Sequence, residues 1–231
     1  MLEVFNITTG YSGRKVLTGV SFTVSAGEVL GVFGNNGTGK STLFKALAGF
    51  RPTSTGRIIL EGRSIEDLAP YHRARAGLIY IPQDDRVFSS LNVEDNLTVP
   101  MLGNSSRDVI NNHVSESCRR WPWLSSVLGT PAGLLSGGQK LVVAVARASS
   151  LRGKCYLLDE PFAGIDPTSR EMISDLIDEF SAQGCAVLIA EQNLDIATEF
   201  AERALVLSPG GSVLLPSCSK LTILETMRQL S

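Results

Sequence analysis

Nine residues of the chain, GNNGTGKST (34–42), have the composition of a loop that surrounds phosphate groups. Glycines permit backbone angles that other residues avoid, and they let backbone N–H groups gather around an anion. Lys40 can reach the β- and γ-phosphates of a nucleotide, and the hydroxyl of Ser41 can bind Mg²⁺. The pattern therefore predicts a nucleoside-triphosphate site. Its candidate residues are Gly34, Asn35, Asn36, Gly37, Thr38, Gly39, Lys40, Ser41 and Thr42.

Two acids, Asp159 and Glu160, follow the apolar run CYLL (155–158). A strand that ends there would place both acids at the carboxyl edge of a sheet, where open α/β sheets bind their ligands. We expect Asp159 to bind Mg²⁺ and Glu160 to polarise the attacking water as a general base. The alternative is a pair of exposed acids that merely close a strand, and the phosphate loop in the same chain disfavours it.

A second candidate anion site precedes the apolar stretch LVVAVARAS (141–149), which predicts a buried helix. The residues before it read LLSGGQK (134–140), so small residues with free N–H groups lie at the start of this helix. One phosphate loop serves one nucleotide. A second anion site therefore indicates another nucleotide or another copy of the protein.

The phosphate loop lies between a predicted strand, EVLGVF (28–33), and a predicted helix, KSTLFKALAGF (40–50). Apolar residues recur at helical spacing in this helix at Leu43, Phe44, Ala46, Leu47 and Phe50.

Strands are also predicted at LIYIP (78–82), AVLIA (186–190) and ALVL (204–207), and a helix is predicted over 166–184 with Asp166 as its N-cap. Strands that alternate with helices predict a parallel sheet covered on both faces. The first sixty residues contain short β-like runs separated by turns, which predict an antiparallel sheet.

Composition excludes several classes of function. The net charge of −2 gives no support for nucleic-acid binding, which usually requires a basic surface. No apolar run approaches the eighteen or so residues of a membrane span, and the N-terminus lacks the order of a signal peptide. The four cysteines are scattered, as expected of thiols in a reducing cytoplasm.

Taken together, these motifs resemble ATP-binding cassette (ABC) ATPases, the engines of ABC transporters, along almost the whole chain. LSGGQ (135–139) resembles the family's signature, and Tyr11 resembles the aromatic residue that stacks on adenine. Gln83 resembles the glutamine that touches Mg²⁺ and water, and GIDP (164–167), with Asp166, resembles the D-loop.

The resemblance implies an α/β fold: a RecA-like P-loop NTPase core with a parallel sheet, an N-terminal antiparallel β subdomain and an inserted helical subdomain. We expect the core at about 1–83 and 151–231, and the helical subdomain at about 84–150, although an ordinary loop-rich insertion is the alternative there. The cofactors implied are ATP and Mg²⁺, with Ser41, Gln83 and Asp159 as metal ligands. The implied catalytic residues are Lys40, Glu160 and Gln192.

The resemblance also implies partners. Two cassettes face head to tail, so that each signature closes the ATP site of the other chain. Separate permease subunits span the membrane, and the cassette lies at the cytoplasmic face of the inner membrane, docked through residues near 84–100. The residues implied to act across the dimer are Ser136, Gly137, Gly138, Gln139 and Asp166.

Gln192, in LIAEQN (188–193), stands where most cassettes carry a histidine. Its amide can donate a hydrogen bond to the γ-phosphate but cannot carry a proton at pH 7. The alternative is a surface glutamine with no role in the site.

The substrate class is predicted only from the resemblance of short stretches. EQN (191–193), DDRVFSSLNVEDNLTV (84–99) and AGLLSGG (132–138) resemble an ATPase of branched-chain amino acid importers. LDEPFAGIDP (158–167) and YHRARAGLIYIPQ (71–83) resemble the lipopolysaccharide-export ATPase. We expect amino acid import, with envelope-lipid export as the alternative. A non-transport or regulatory cassette is disfavoured by the single cassette and by the presence of Lys40, Asp159 and Glu160.

Overall fold

The computed structural model describes residues 1–11, 14–103, 105–209 and 211–230. Within these residues the chain forms ten strands and eight α-helices. The strands are β1 (Leu2–Tyr11), β2 (Arg14–Val24), β3 (Val29–Phe33), β4 (Thr53–Leu60), β5 (Arg63–Ser64), β6 (Leu78–Ile81), β7 (Cys155–Asp159), β8 (Ala186–Ala190), β9 (Arg203–Ser208) and β10 (Gly211–Leu215). The helices are α1 (Lys40–Leu47), α2 (Pro70–Ala76), α3 (Val93–Thr98), α4 (Arg107–Arg120), α5 (Gly137–Ser149), α6 (Pro167–Ala182), α7 (Leu194–Ala197) and α8 (Lys220–Gln229).

The strands form two sheets, as the sequence predicts. An antiparallel sheet has the order β2-β1-β4-β5, and a six-stranded sheet has the order β10-β9-β3-β8-β7-β6. In the second sheet β9, β3, β8, β7 and β6 are parallel, and β10 adds an antiparallel edge. The parallel strands are buried on both faces, which is why their sequences read as continuous apolar runs.

Two hydrophobic cores cover the faces of the parallel sheet. One joins it to the antiparallel sheet and α1, with Leu30, Phe44 and Leu188 fully buried. The other joins it to α5 and α6. Every residue of α5 from Leu141 to Ala146 is buried, which confirms that the apolar stretch after the signature is a core helix.

The first helix ends earlier than the sequence predicts. It stops at Leu47, and Gly49 then adopts a φ of 85°, a left-handed conformation typical of helix ends. The carbonyl oxygens of Ala46 and Leu47 accept hydrogen bonds from the buried guanidinium of Arg73 at 2.8 and 2.6 Å. Phe50 therefore lies beyond the helix and is 63% exposed, so the prediction that the helix and its apolar spacing include Phe50 was wrong.

The segment between β6 and β7 contains the helices α3, α4 and α5 and three short 3₁₀ turns, all within described residues. This is the region for which the sequence predicts a helical subdomain, and α5 carries the signature residues at its start. None of the helices in the described ranges combines the length and apolar character that crossing a membrane requires.

Candidate functional site

Four neighbouring strands bring the candidate residues to one edge of the parallel sheet. In the sheet order β3-β8-β7-β6, the carboxyl ends of the four strands lie side by side. The phosphate loop follows β3, Gln192 follows β8, Glu160 follows β7 and Gln83 follows β6. These residues are far apart in the chain and meet because parallel strands end at a common edge.

The phosphate loop depends on glycines at its turns. Gly34 has a φ of 154° and Gly39 a φ of 103°. A Cβ on Gly34 would lie 2.4 Å from Oγ1 of Thr38 and 2.5 Å from the carbonyl oxygen of Leu207, closer than side-chain carbons pack. Only glycine therefore fits at this position without displacing the loop.

Lys40 begins α1 and folds back over the loop. Its Nζ donates a hydrogen bond of 2.8 Å to the carbonyl oxygen of Gly34, and the residue is 6% exposed. Burial lowers the pKa of Lys40, and the negative charges of Glu160, Asp159 and Glu191 oppose that shift. A buried cation thus faces three carboxylates across the site.

Asp159 is held by two hydroxyl groups. Its Oδ1 accepts a hydrogen bond from Ser41 Oγ at 3.1 Å, and its Oδ2 accepts one from the hydroxyl of Tyr80 at 3.1 Å. Burial raises the pKa of Asp159, while these two hydrogen bonds lower it. A buried carboxylate beside hydroxyl oxygens suits a hard divalent cation, which prefers oxygen ligands. The donor set therefore fits the predicted Mg²⁺ site.

Glu160 is clamped by two side-chain amides. Nε2 of Gln83 donates to Oε2 at 2.8 Å, and Nε2 of Gln192 donates to Oε1 at 2.5 Å. The backbone of Glu160 has a φ of 46°, uncommon for a residue with a side chain, and its N–H donates to the carbonyl oxygen of Ala190 at 2.9 Å. Gln192 therefore contacts the carboxylate that the sequence predicts as the base.

Three further polar residues of the site were not predicted from the sequence. Glu191 is buried and accepts hydrogen bonds from the backbone N–H groups of Phe162 at 3.0 Å and Gln192 at 3.3 Å, so it ties the turn after β8 to the turn after Glu160. Burial raises its pKa. Tyr80 and Arg147 also contact site elements. Both are polar residues inside otherwise apolar runs, and this departure from the pattern is the sequence signal that could have identified them.

Tyr11 lies near the phosphate loop, but one face of its ring is covered. The guanidinium carbon of Arg51 lies 3.6 Å from the ring centroid, a cation–π contact. A hydrogen bond with the Thr42 side chain is the main cause that lowers the pKa of Tyr11. The ring is 40% exposed and thus retains surface for stacking.

The signature residues lie against the D-loop of their own chain. Ser136 and Gln139 form a capping box, in which Ser136 Oγ accepts from the N–H of Gln139 at 3.2 Å and Gln139 Oε1 accepts from the N–H of Ser136 at 3.0 Å. Two of the N–H groups expected to be free are thus engaged. A Cβ on Gly138 would meet Oγ of Ser169, the residue that Asp166 caps.

The structure thus assembles two groups of predicted residues. Lys40, Ser41, Gln83 and the residues around Glu160 form one cluster at the sheet edge. Residues 136–139 and Asp166 form another, and among the described residues no hydrogen bond or ion pair links it to the phosphate loop.

Comparisons with known proteins agree with this geometry. The sequence profile of the family described as ABC transporter matches residues 17–163. The chain is 35% identical to an uncharacterized ABC transporter ATP-binding protein of Rhizobium meliloti, over 88% of this chain and 76% of that protein. It is 36% identical to the lipopolysaccharide export system ATP-binding protein LptB of Escherichia coli, over 90% of this chain and 87% of that protein.

A solved structure gives the same result for the fold. A nucleotide-free ATP-binding cassette from an ABC transporter superposes with a TM-score of 0.86 at 26% identity. The match covers 100% of this chain and 98% of the other. A similarity of this extent includes both sheets and the helices between β6 and β7.

Proposed function

The chain belongs to the ABC transporter family as an ATP-binding subunit with ATPase chemistry, and we propose that it powers transport through separate membrane subunits. The observation that carries this proposal is the arrangement at the sheet edge. A buried lysine on a glycine loop faces a carboxylate held by two amides. This arrangement suits the binding of phosphates and the activation of water at a terminal phosphorus atom.

Each residue of the cluster has a role in this proposal. Lys40 and the N–H groups of the phosphate loop bind the β- and γ-phosphates of ATP. Ser41, Gln83 and Asp159 would hold Mg²⁺, which would supply positive charge to neutralise the charge that develops on the phosphates. Glu160 accepts a proton from the attacking water, and Gln192 orients that carboxylate and can donate to the γ-phosphate.

The second group of residues serves a second copy of the chain. We propose a head-to-tail dimer in which Ser136, Gly137, Gly138 and Gln139 face the γ-phosphate bound by the partner, with Asp166 beside them. The separation of this group from the phosphate loop of its own chain supports an action across the dimer. Tyr11 is proposed to stack on adenine, with Arg51 on its opposite face.

The membrane subunits are proposed to dock in an apolar groove of about 370 Å³. Its lining includes Phe50, Tyr71, Phe88 and Leu102, and it lies between α2 and the segment that follows α3. Exposed aromatic rings in a concave surface fit an apolar helix or loop of a membrane partner. The resemblance to cassette ATPases predicts docking near residues 84–100, and Phe88 belongs to that range.

Leu102→Glu should weaken this docking. The residue is 59% exposed in the groove, and a charge there opposes burial against an apolar partner. We expect at least a tenfold loss of co-purification with the proposed membrane subunits, with an unchanged unfolding midpoint. Leu221→Glu, at a residue 68% exposed on α8, is the matched control. Equal losses for the two variants would place docking elsewhere.

We infer amino acid import of the branched-chain type as the transport reaction, because residues 191–193, with Gln192 in place of the usual histidine, resemble an ATPase of branched-chain amino acid importers. A second candidate, export of an envelope lipid, is favoured by the similarity to LptB. The test is ATPase activity of the complex with its membrane subunits. Stimulation by a binding protein loaded with amino acid supports import, whereas stimulation by lipopolysaccharide supports export. Either direction places the protein at the cytoplasmic face of the inner membrane.

A further inference from the structure

Two cavities of the protein share one wall. The docking groove lies on one side, and a cavity of about 650 Å³ that reaches Ser41, Gln83 and Asp159 lies on the other. The side chains that line both are Phe50, Tyr80, Phe88 and Arg147. A partner in the groove therefore touches groups that also border the nucleotide side.

Arg147 extends from this wall into the interior. Its guanidinium lies over the ring of Phe88, with 5.0 Å between the guanidinium carbon and the ring centroid. Its Nη2 donates a hydrogen bond of 2.9 Å to the carbonyl oxygen of Arg86. Arg147 belongs to α5, the helix that begins with the signature, so it connects that helix to the segment after Gln83.

Arg86 continues the connection to the site. It is 7% exposed, and its Nη2 donates a hydrogen bond of 2.9 Å to the carbonyl oxygen of Glu160. Its Nε donates one of 3.1 Å to the carbonyl oxygen of Pro82. One guanidinium thus fixes the main chain beside Gln83 and the main chain of Glu160. Arg86 therefore contacts the main chain near both ends of the Gln83–Glu160 hydrogen bond.

The cost of burying these charges argues for a positioning role. Removing an arginine from water is unfavourable unless its N–H groups find acceptors in fixed places. The acceptors for Arg86 are the main-chain carbonyls of Pro82 and Glu160, and the acceptor for Arg147 is the main-chain carbonyl of Arg86. The backbone of Glu160 has a φ of 46°, which persists only where surrounding contacts hold it.

We propose that Phe88, Arg147 and Arg86 form a relay that transmits occupancy of the docking groove to the main chain of Glu160. Arg86 and Arg147 are positioning residues in this relay, and the inference rests on the proposed role of Glu160. A displacement of Phe88 or of α5 moves Arg147, then the carbonyl of Arg86, and then the turn that carries the carboxylate. In this way, the docking groove and α5, which begins with the signature, both influence the position of Glu160.

The test uses steady-state ATPase kinetics of the full chain. Arg147→Met should lower kcat about tenfold with KM for ATP changed less than about twofold, since the relay orients the base and does not bind ATP. Arg147→Lys retains a cationic N–H donor for the single carbonyl of Arg86 and should keep about half of the wild-type kcat. Arg86→Lys should instead lower kcat strongly, because a lysine ammonium lacks the planar fork with which the guanidinium of Arg86 donates to two carbonyls.

A double variant tests whether the arginines act in series. Arg86→Lys combined with Arg147→Met should lower kcat no further than the more severe single change. If the loss of kcat in the double variant equals the product of the losses in the two single variants, the arginines act independently and the relay is overturned. The matched control is Arg120→Met, because Arg120 also stacks on an aromatic ring, Trp121, and also pairs across elements, with Glu179. An equal loss of kcat in Arg120→Met would mean that Arg147 contributes only through general packing, and it would overturn the proposal.

Failure of the relay differs from failure of the proposed function. If Glu160→Gln still hydrolyses ATP at the wild-type rate, Glu160 is not the base, and both the proposed function of Glu160 and the relay are overturned. Turnover lost in Glu160→Gln but kept in the arginine variants overturns the relay alone. Unfolding midpoints are measured for every variant, and if Arg86→Lys does not fold, the Met and Lys variants of Arg147 decide the question.

Discussion

Glu160→Gln should slow ATP hydrolysis by about 10²- to 10⁴-fold while ATP binding is retained, because the change removes a base and preserves the shape of the side chain. The carboxylate accepts from Gln83 at 2.8 Å and from Gln192 at 2.5 Å. A glutamine replaces one carboxylate oxygen by an NH2 group, which can only donate, so in the same geometry it can accept from only one of these two amides. Binding depends instead on Lys40 and the phosphate loop, which the substitution leaves in place.

Single-turnover release of phosphate and ATP-dependent dimerisation on size exclusion measure the two effects separately. The expected outcome is a dimer that forms with ATP and persists, since hydrolysis no longer dissolves it. Glu199→Gln is the control, because Glu199 pairs with Arg170 on the surface at 2.8 Å and lies outside the cluster. A Glu160→Gln protein that hydrolyses ATP at the wild-type rate would remove Glu160 from its proposed role.

Gln192→Ala should lower the steady-state ATPase rate about 10- to 100-fold when assayed with the membrane partner. The change removes a donor to the base and a donor available to the γ-phosphate, and loss of one preorganised donor has effects of this order or larger. Gln192→Glu should be at least as severe, because a second negative charge would then face Glu160. An unchanged rate in both variants would make Gln192 a bystander.

Asn193→Ala separates the role of Gln192 from that of its turn. Asn193 caps α7 by accepting a hydrogen bond from the N–H of Asp195 at 3.0 Å. Within the described residues its side chain makes no hydrogen bond to Gln83, Glu160 or Gln192. Its loss should cost about 1 kcal/mol of helix stability and little activity. A fall in activity equal to that of Gln192→Ala would show that the turn matters and the amide does not.

The fold was predictable because its signals are local. The parallel strands are short, largely apolar runs, and the helices α1 and α6 have apolar residues at regular helical spacing. That pattern alone indicated a parallel sheet with ligands at its edge, and the structure confirms the fold class. The exception, Phe50, lies just beyond a helix end, where periodicity no longer determines burial.

The contacts within the site were less predictable, because they join residues distant in sequence. Arg147 reaches Arg86 across 61 positions, and Tyr80 reaches Asp159 across 79. No periodicity reports such pairs. The capping box of Ser136 and Gln139 is a different case, since the spacing of a serine and a glutamine three residues later is a local signal that was available in LLSGGQK.

The strand order also bears on how the protein can be made. Strand β3 carries the phosphate loop, and its partners in the described sheet are β8 and β9, which the ribosome adds more than 150 residues later. A nascent chain that ends after α6 contains Lys40, Asp159 and Glu160 but leaves both edges of β3 unpaired.

Residues 1–182 released as a fragment should therefore show no protection from proteolysis by ATP, whereas the full chain should be protected. Protection of the fragment would mean that the phosphate loop forms before its sheet. The expected result makes ATP binding a late event in synthesis. It follows that the apolar strands of the core depend on shielding, by chaperones or by the ribosome, until the final fifth of the chain emerges.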